Sequence, residues 1–204
     1  MTTGNPVHYL WWLVSRASGI VVVALIALSV LIGLAMAARL VPARRKRTAA
    51  ALHEHLAMVA LVAIAVHGAA LLGDGWLRPG VTGITIPFAL HYRPAFTGAG
   101  IIAGYLALLL GPSFYLRRRL PAGAWRRLHR ATPLVWALAV VHSLGSGSDG
   151  ASLWLRGLVL APVVPLAYLL VMRVLGGNRR SPAARPARPR PVRRLTTVPV
   201  DDHG

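Results

Sequence analysis

The chain has 204 residues, 55% of them hydrophobic, with 23 Lys+Arg against 5 Asp+Glu and a net charge of +18. Mean hydropathy of +0.57 exceeds that of an ordinary soluble domain, and the absence of cysteine excludes disulfide scaffolds and Cys-ligated zinc or iron–sulfur sites. A basic balance alone would suit a nucleic-acid binder, but here apolar runs of membrane-crossing length separate the basic clusters. One cation, Lys46, is a lysine and the rest are arginines. That bias, with the alanine richness, reflects base composition of the coding DNA better than a mechanism.

The pattern predicts an all-α polytopic membrane helix bundle with five spans. A spanning helix needs ~20 mostly apolar residues. The runs are Leu10–Ala37, Ala50–Leu72, Thr97–Leu116, Trp125–Leu144 and Leu153–Leu175. Gly19, Gly33, Gly104 and Gly157 inside them would weaken soluble helices but permit close packing of membrane helices. Residues before Leu10 carry no Lys or Arg, unlike a signal peptide's basic start, so the first run reads as an uncleaved helix.

Basic residues set the expected orientation. Arg39, Arg44, Arg45, Lys46 and Arg47 fill the first connection, and the third holds Arg117, Arg118, Arg119, Arg126, Arg127 and Arg130. The second holds only Arg78 and Arg93, and Gly145–Ser152 holds none. This alternation places the N-terminus outside and the C-terminus in the cytoplasm, with the second and fourth helices parallel. Topology signalling accounts for most of the arginines.

The second connection, Gly73–Phe96, is expected to form an outer cap. Val81–Ile86 alternates β-branched residues before Pro87 breaks the run. Trp11, Trp12, Trp76, Tyr92 and Trp154 fall at the expected outer interface and Tyr115 and Trp125 at the inner one, as an aromatic belt does. Residues 1–175 read as the bundle, and 176–204 as a disordered Arg/Pro-rich cytoplasmic tail that adsorbs to anionic membrane lipids. No aromatic residue interleaves its arginines, so no nucleic-acid partner is expected. No glycine-rich dinucleotide fingerprint following a strand is present.

Eight histidines occur. His8, His91 and His203 lie outside the spans; His53, His55 and His67 lie on the second helix, and His129 and His142 on the fourth. Ionisable residues within a membrane are costly and usually functional. A single one is as well explained by an interhelical hydrogen bond, but here two parallel helices each carry a histidine near either end. His67 follows His53 by 14 residues, which puts them about 40° apart in azimuth and ~21 Å apart along the axis. His55 lies about 120° from His67 and is the poorer match. His142 follows His129 by 13 residues, about 140° apart on a straight helix, a misfit that a kink at Pro133 would have to relieve.

Parallel helices pair His53 with His129 and His67 with His142. Each pair offers an iron two axial imidazoles with no open position, which favours electron transfer over oxygen chemistry. Zinc prefers four close ligands, which pairs ~20 Å apart cannot supply.

Several stretches resemble bacterial ferric reductase-like transmembrane proteins. Trp11-Trp12-Leu13-Val14-Ser15-Arg16-Ala17-Ser18-Gly19 is similar to their opening, and Leu52-His53-Glu54-His55-Leu56-Ala57 with His67 to their first ligand helix. Pro87-Phe88-Ala89-Leu90-His91-Tyr92-Arg93-Pro94 resembles the outer loop. Trp125-Arg126-Arg127-Leu128-His129-Arg130, His142 and Gly147-Ser148-Asp149 resemble the second ligand helix and its following loop. The likeness spans roughly Trp11–Gly150, and its paired histidine spacings are also similar to the NADPH oxidase membrane domain.

The resemblance implies two b-type haems held by His53, His67, His129 and His142, and electron transfer across a bacterial cytoplasmic membrane. The family also includes haem-binding subunits of periplasmic methionine sulfoxide reductases. His55 duplicates the inner position and leaves the inner ligand open between His53 and His55. With no flavin domain in the chain, a separate donor is expected, a flavoprotein or a quinol. The extracytoplasmic acceptor would be ferric iron, a flavoprotein or a reductase partner. The alternative is a non-redox assembly or transport subunit whose histidines are structural.

Arg16 and Arg93 are candidate partners for outer haem propionates, although snorkelling to the interface explains Arg16 equally well. Arg126, Arg127 and Arg130 could bind inner propionates or dock an acidic donor. Glu54 reads as a helix N-terminal cap in preference to an imidazole partner. Pro162 and Pro165 are expected to kink the fifth helix.

Overall fold

The computed structural model describes residues 6–121 and 123–178, and the side chains of 9–121 and 123–175. Among them every regular element is helical. Four helical stretches are long and apolar enough to cross a membrane: Tyr9–Ala37, Ala43–Leu72, Pro94–Leu116 and Leu153–Leu175. The chain is therefore a multi-pass helical membrane bundle.

Helix α1 (Pro6–Ala37) is one uninterrupted rod. Val22, Ile26, Val30 and Leu34, each four residues from the next, bury one of its faces. A 3-10 turn at Ala43–Arg45 leads into α2 (Lys46–Leu72), which returns along α1. Glu54 therefore stands two turns inside α2, and the expected N-terminal cap is corrected. Its carboxylate accepts a hydrogen bond from the Tyr115 hydroxyl at 2.5 Å.

The outer connection contains a short helix, α3 (Gly80–Thr85), across the β-branched alternation. Pro79 as N-cap, with its fixed φ, lets the next turn wind, and Pro87 prevents continuation. Helix α4 (Pro94–Leu110) starts with proline in its first turn, and after Gly111 and Pro112 a single turn, α5 (Ser113–Leu116), completes that span.

The expected fourth span is divided. Helix α6 (Ala124–His129) and helix α7 (Thr132–Ser146) flank Arg130 and Ala131, and neither half alone is of spanning length. Pro133 has no N–H to give the His129 carbonyl four residues back. The Thr132 hydroxyl donates to that carbonyl instead. Bonds of the i to i−3 type, Ala131 N–H to Leu128 O and Leu134 N–H to Ala131 O, tighten the break.

Helix α8 (Leu153–Leu160) and helix α9 (Val163–Asn178) form the last span, interrupted at Ala161 and Pro162. Gly176, Gly177 and Asn178, expected in the 176–204 tail, instead continue α9; the rest of that tail, from 179 onward, lies outside the described residues, as does His203. Tightly packed pairs are α1 with α2, and α4 with α7, while α1 also touches α7 and α9. At the α4–α7 contact Gly145 meets the Phe96 ring, and Gly98 of α4 meets the ring of Phe88 in the outer connection, so small residues bring aromatic ones close.

Candidate functional site

The histidines lie on α2 and on the α6–α7 pair, which are not closely packed against each other. Their imidazoles meet across the gap. His53 faces His129 with ring centroids 6.0 Å apart, and His67 faces His142 at 6.2 Å. Ring planes are near perpendicular in both pairs, at 88° and 82°. His55 joins neither pair. Its Nδ1 donates to the Ala51 carbonyl of its own helix at 2.7 Å, on an exposed face. His91 is exposed on the outer connection.

The break after His129 accounts for its reach. A 3-10 turn advances ~120° per residue against ~100° for an α-helix, so about four tightened residues recover roughly 80° of the 140° misfit.

Three of the four rings are latched through Nδ1. His53 donates to the Ser29 carbonyl at 2.8 Å, His67 to the Ser15 carbonyl at 2.8 Å, and His142 to the Phe96 carbonyl at 3.0 Å. Such a bond fixes the tautomer and leaves the Nε2 lone pair free. Ser29 holds His53 twice, since its hydroxyl also donates to the His53 carbonyl at 3.2 Å. The fourth ring, His129, stacks on Trp125 at 5.0 Å, and its buried Nδ1 has no hydrogen-bond partner among the described residues.

Around the inner pair is a cavity of about 610 Å³, lined by both histidines and by Arg39, Arg126, Arg130 and Arg173. That volume lies in the range of small-molecule and cofactor sites. Arg173, near the end of the last apolar run, reaches it from α9.

Arg16 and Arg93 stand at the end of the bundle that holds the outer pair. Arg16 follows Ser15 and grips Asp149 in a two-point ion pair, Nε to Oδ2 at 2.6 Å and Nη2 to Oδ1 at 2.8 Å. Arg93 donates to the Gly145 carbonyl at 2.5 Å and lies over the Tyr92 ring. Both cations thus have protein partners.

Sequence reasoning did not single out Ser15, Ser29, the Phe96 carbonyl or the stacking of Trp125. One signal was available: Ser29 follows Ser15 by 14 residues, the His53–His67 interval.

A metal–imidazole bond is about 2.0–2.1 Å, so the paired rings, with centroids 6.0 and 6.2 Å apart, would suit one metal held between two histidines. Among the described residues no group of three or more His, Cys, Asp or Glu gathers to hold a metal ion, so each site offers two imidazoles.

Comparison with protein-family models, with curated proteins and with solved structures found no match.

Proposed function

We propose that this chain is a two-haem b-type cytochrome carrying electrons across a bacterial cytoplasmic membrane to an extracytoplasmic acceptor. The observation that carries this reading is the pair of histidine–histidine separations, 6.0 and 6.2 Å, at opposite ends of α2. Haem held by the two histidines of each pair would supply a one-electron carrier.

His53 and His129 hold the inner group, and His67 and His142 the outer one. Nδ1–carbonyl bonds orient His53, His67 and His142 with Nε2 as the free nitrogen. Arg39, Arg126, Arg130 and Arg173 balance the carboxylates of an inner cofactor and favour an acidic donor surface at that end. Arg16 and Arg93, held by Asp149 and the Gly145 carbonyl, are the candidate partners of an outer cofactor's carboxylates. In this reading α6 and α7 together make the fourth of five spans, with the N-terminus outside and the C-terminus in the cytoplasm, as the arginine distribution supports. The outer acceptor is ferric iron, a flavoprotein or a reductase partner.

The Nδ1–carbonyl bonds also favour a second reading, in which the histidines are interhelical polar contacts of a non-redox assembly or transport subunit. A reduced-minus-oxidised spectrum with a pyridine haemochrome assay, on detergent-purified protein expressed with ample haem, separates the two. Two b-type haems per chain support the cytochrome. Absence of haem returns the histidines to a structural role.

A further inference from the structure

Three histidines dock on neighbouring helices in one repeated way. His67 Nδ1 meets the carbonyl of Ser15, and the residue one turn later is Gly19. His53 meets that of Ser29, and one turn later is Gly33. His142 meets that of Phe96, and one turn later is Gly100.

The geometry of a helix explains the spacing. The carbonyl of residue i points along the axis toward residue i+4, whose N–H it accepts. A carbonyl has a second lone pair for an outside donor, but that donor must pass over the side chain at i+4. With glycine there, the imidazole can reach the oxygen. A Cβ at Gly19 would sit 3.2 Å from His67 Cε1 and Nδ1, and one at Gly33 would sit 3.1 Å from His53 Cε1. One at Gly100 would overlap the His142 ring outright. Gly68, by contrast, has nothing within 4 Å of an added Cβ.

We infer that these three carbonyl–glycine cradles, at Ser15/Gly19, Ser29/Gly33 and Phe96/Gly100, position the imidazoles by holding Nδ1–H and presenting Nε2 to the opposite ring. Helix α1 is thus a positioning element for both sites. Its two cradles repeat at 14 residues because α2 runs antiparallel beside it and repeats its histidines at the same interval. Buried Ser15 and Ser29 add a hydroxyl at 3.3 and 2.9 Å from the same Nδ1 atoms. The coordinating role of Nε2 rests on the proposed haem ligation; the positioning of the rings does not.

The test uses full-length protein with 15N-labelled histidine, free of haem, and reads the tautomer of each imidazole by NMR. Expected is a fixed Nδ1-protonated form at His53, His67 and His142, and none at His129. Gly100→Ala should abolish it at His142 alone, and Gly33→Ala and Gly19→Ala should weaken it at His53 alone and at His67 alone, while Gly68→Ala changes none. Should a glycine variant fail to fold, Ser29→Ala and Ser15→Ala, which keep the carbonyl, should each weaken the tautomer preference only at the facing histidine. In haem-loaded protein, Gly33→Ala should alter the inner low-spin EPR signal and Gly19→Ala the outer, with about 10–100-fold weaker haem retention at that site, as for other outer-shell changes. Unchanged tautomers in the variants, or equal effects at both α2 histidines, would overturn the inference. Wild-type protein that binds no haem but shows the fixed tautomers would sink the cytochrome reading and leave the cradles standing.

Discussion

Trp125 and His129 stack ring on ring, 5.0 Å apart and 22° from parallel, one turn from each other on α6. This stacking holds the one paired imidazole whose Nδ1 has no partner among the described residues. An imidazole positioned by a hydrogen bond is held in direction as well as place, whereas a stacked one can still turn in its plane. The inner site is therefore the less rigid of the two.

Trp125→Ala should loosen the inner haem selectively. Aromatic pairing contributes about 0.5–1.5 kcal/mol, which corresponds to roughly 2–10-fold weaker retention. Trp125→Phe should restore most of it. Haem stoichiometry after dilution and repurification measures the loss, and equal loss from both sites would contradict the assignment of Trp125 to the inner pair.

Ligand variants should sort by pair. His53→Ala and His129→Ala should remove one haem signal, and His67→Ala and His142→Ala the other. His55→Ala should leave both, since His55 bonds its own helix. Low-temperature optical spectra read which component disappears. Partners from one pair that removed different components would refute the ligation scheme.

Pro133→Ala tests the break in the fourth span. Alanine returns an N–H to the His129 carbonyl and lets α6 and α7 join as one α-helix. Rejoining would swing His129 back toward the 140° misfit expected of a straight helix. Helicity should rise slightly by circular dichroism while the inner haem is lost and the outer one kept. Retention of both haems at full occupancy would show that the break does not set His129.

The Arg16–Asp149 pair ties the outer turn of α1 to the loop after α7. Both residues are partly exposed, 34% and 19%, so solvent screening limits its contribution to about 1 kcal/mol despite the two-point geometry. Asp149→Asn should lower the thermal midpoint by ~2–4 °C for a chain of this size. Arg16→Lys should match it, because an ammonium cannot make both bonds of the fork. Thermal unfolding in detergent at low and high salt checks this; the deficit should shrink with salt.

The helical membrane architecture was legible in the sequence because hydrophobicity is read segment by segment. Runs near twenty apolar residues need no knowledge of their neighbours to be recognised as spans. The facing of His53 with His129 and of His67 with His142 was also readable, since parallel helices with matched intervals put like ends together. The cap at Glu54 was misread for a related reason: helix α2 begins at Lys46, earlier than its apolar run.

Azimuth favoured His53 and Pro133 signalled a kink, but only the tertiary structure turned His53 and not His55 to the gap, placed the break at Arg130 and Ala131, and set Gly19, Gly33 and Gly100 beneath imidazoles. Two histidines two residues apart have equal hydropathy and differ only in azimuth. Which one faces the gap depends on how α2 is rotated against α1, and that rotation is set by side chains distant in sequence. Spacing along one helix determines which residues share a face; the packing of helices against one another determines what that face meets.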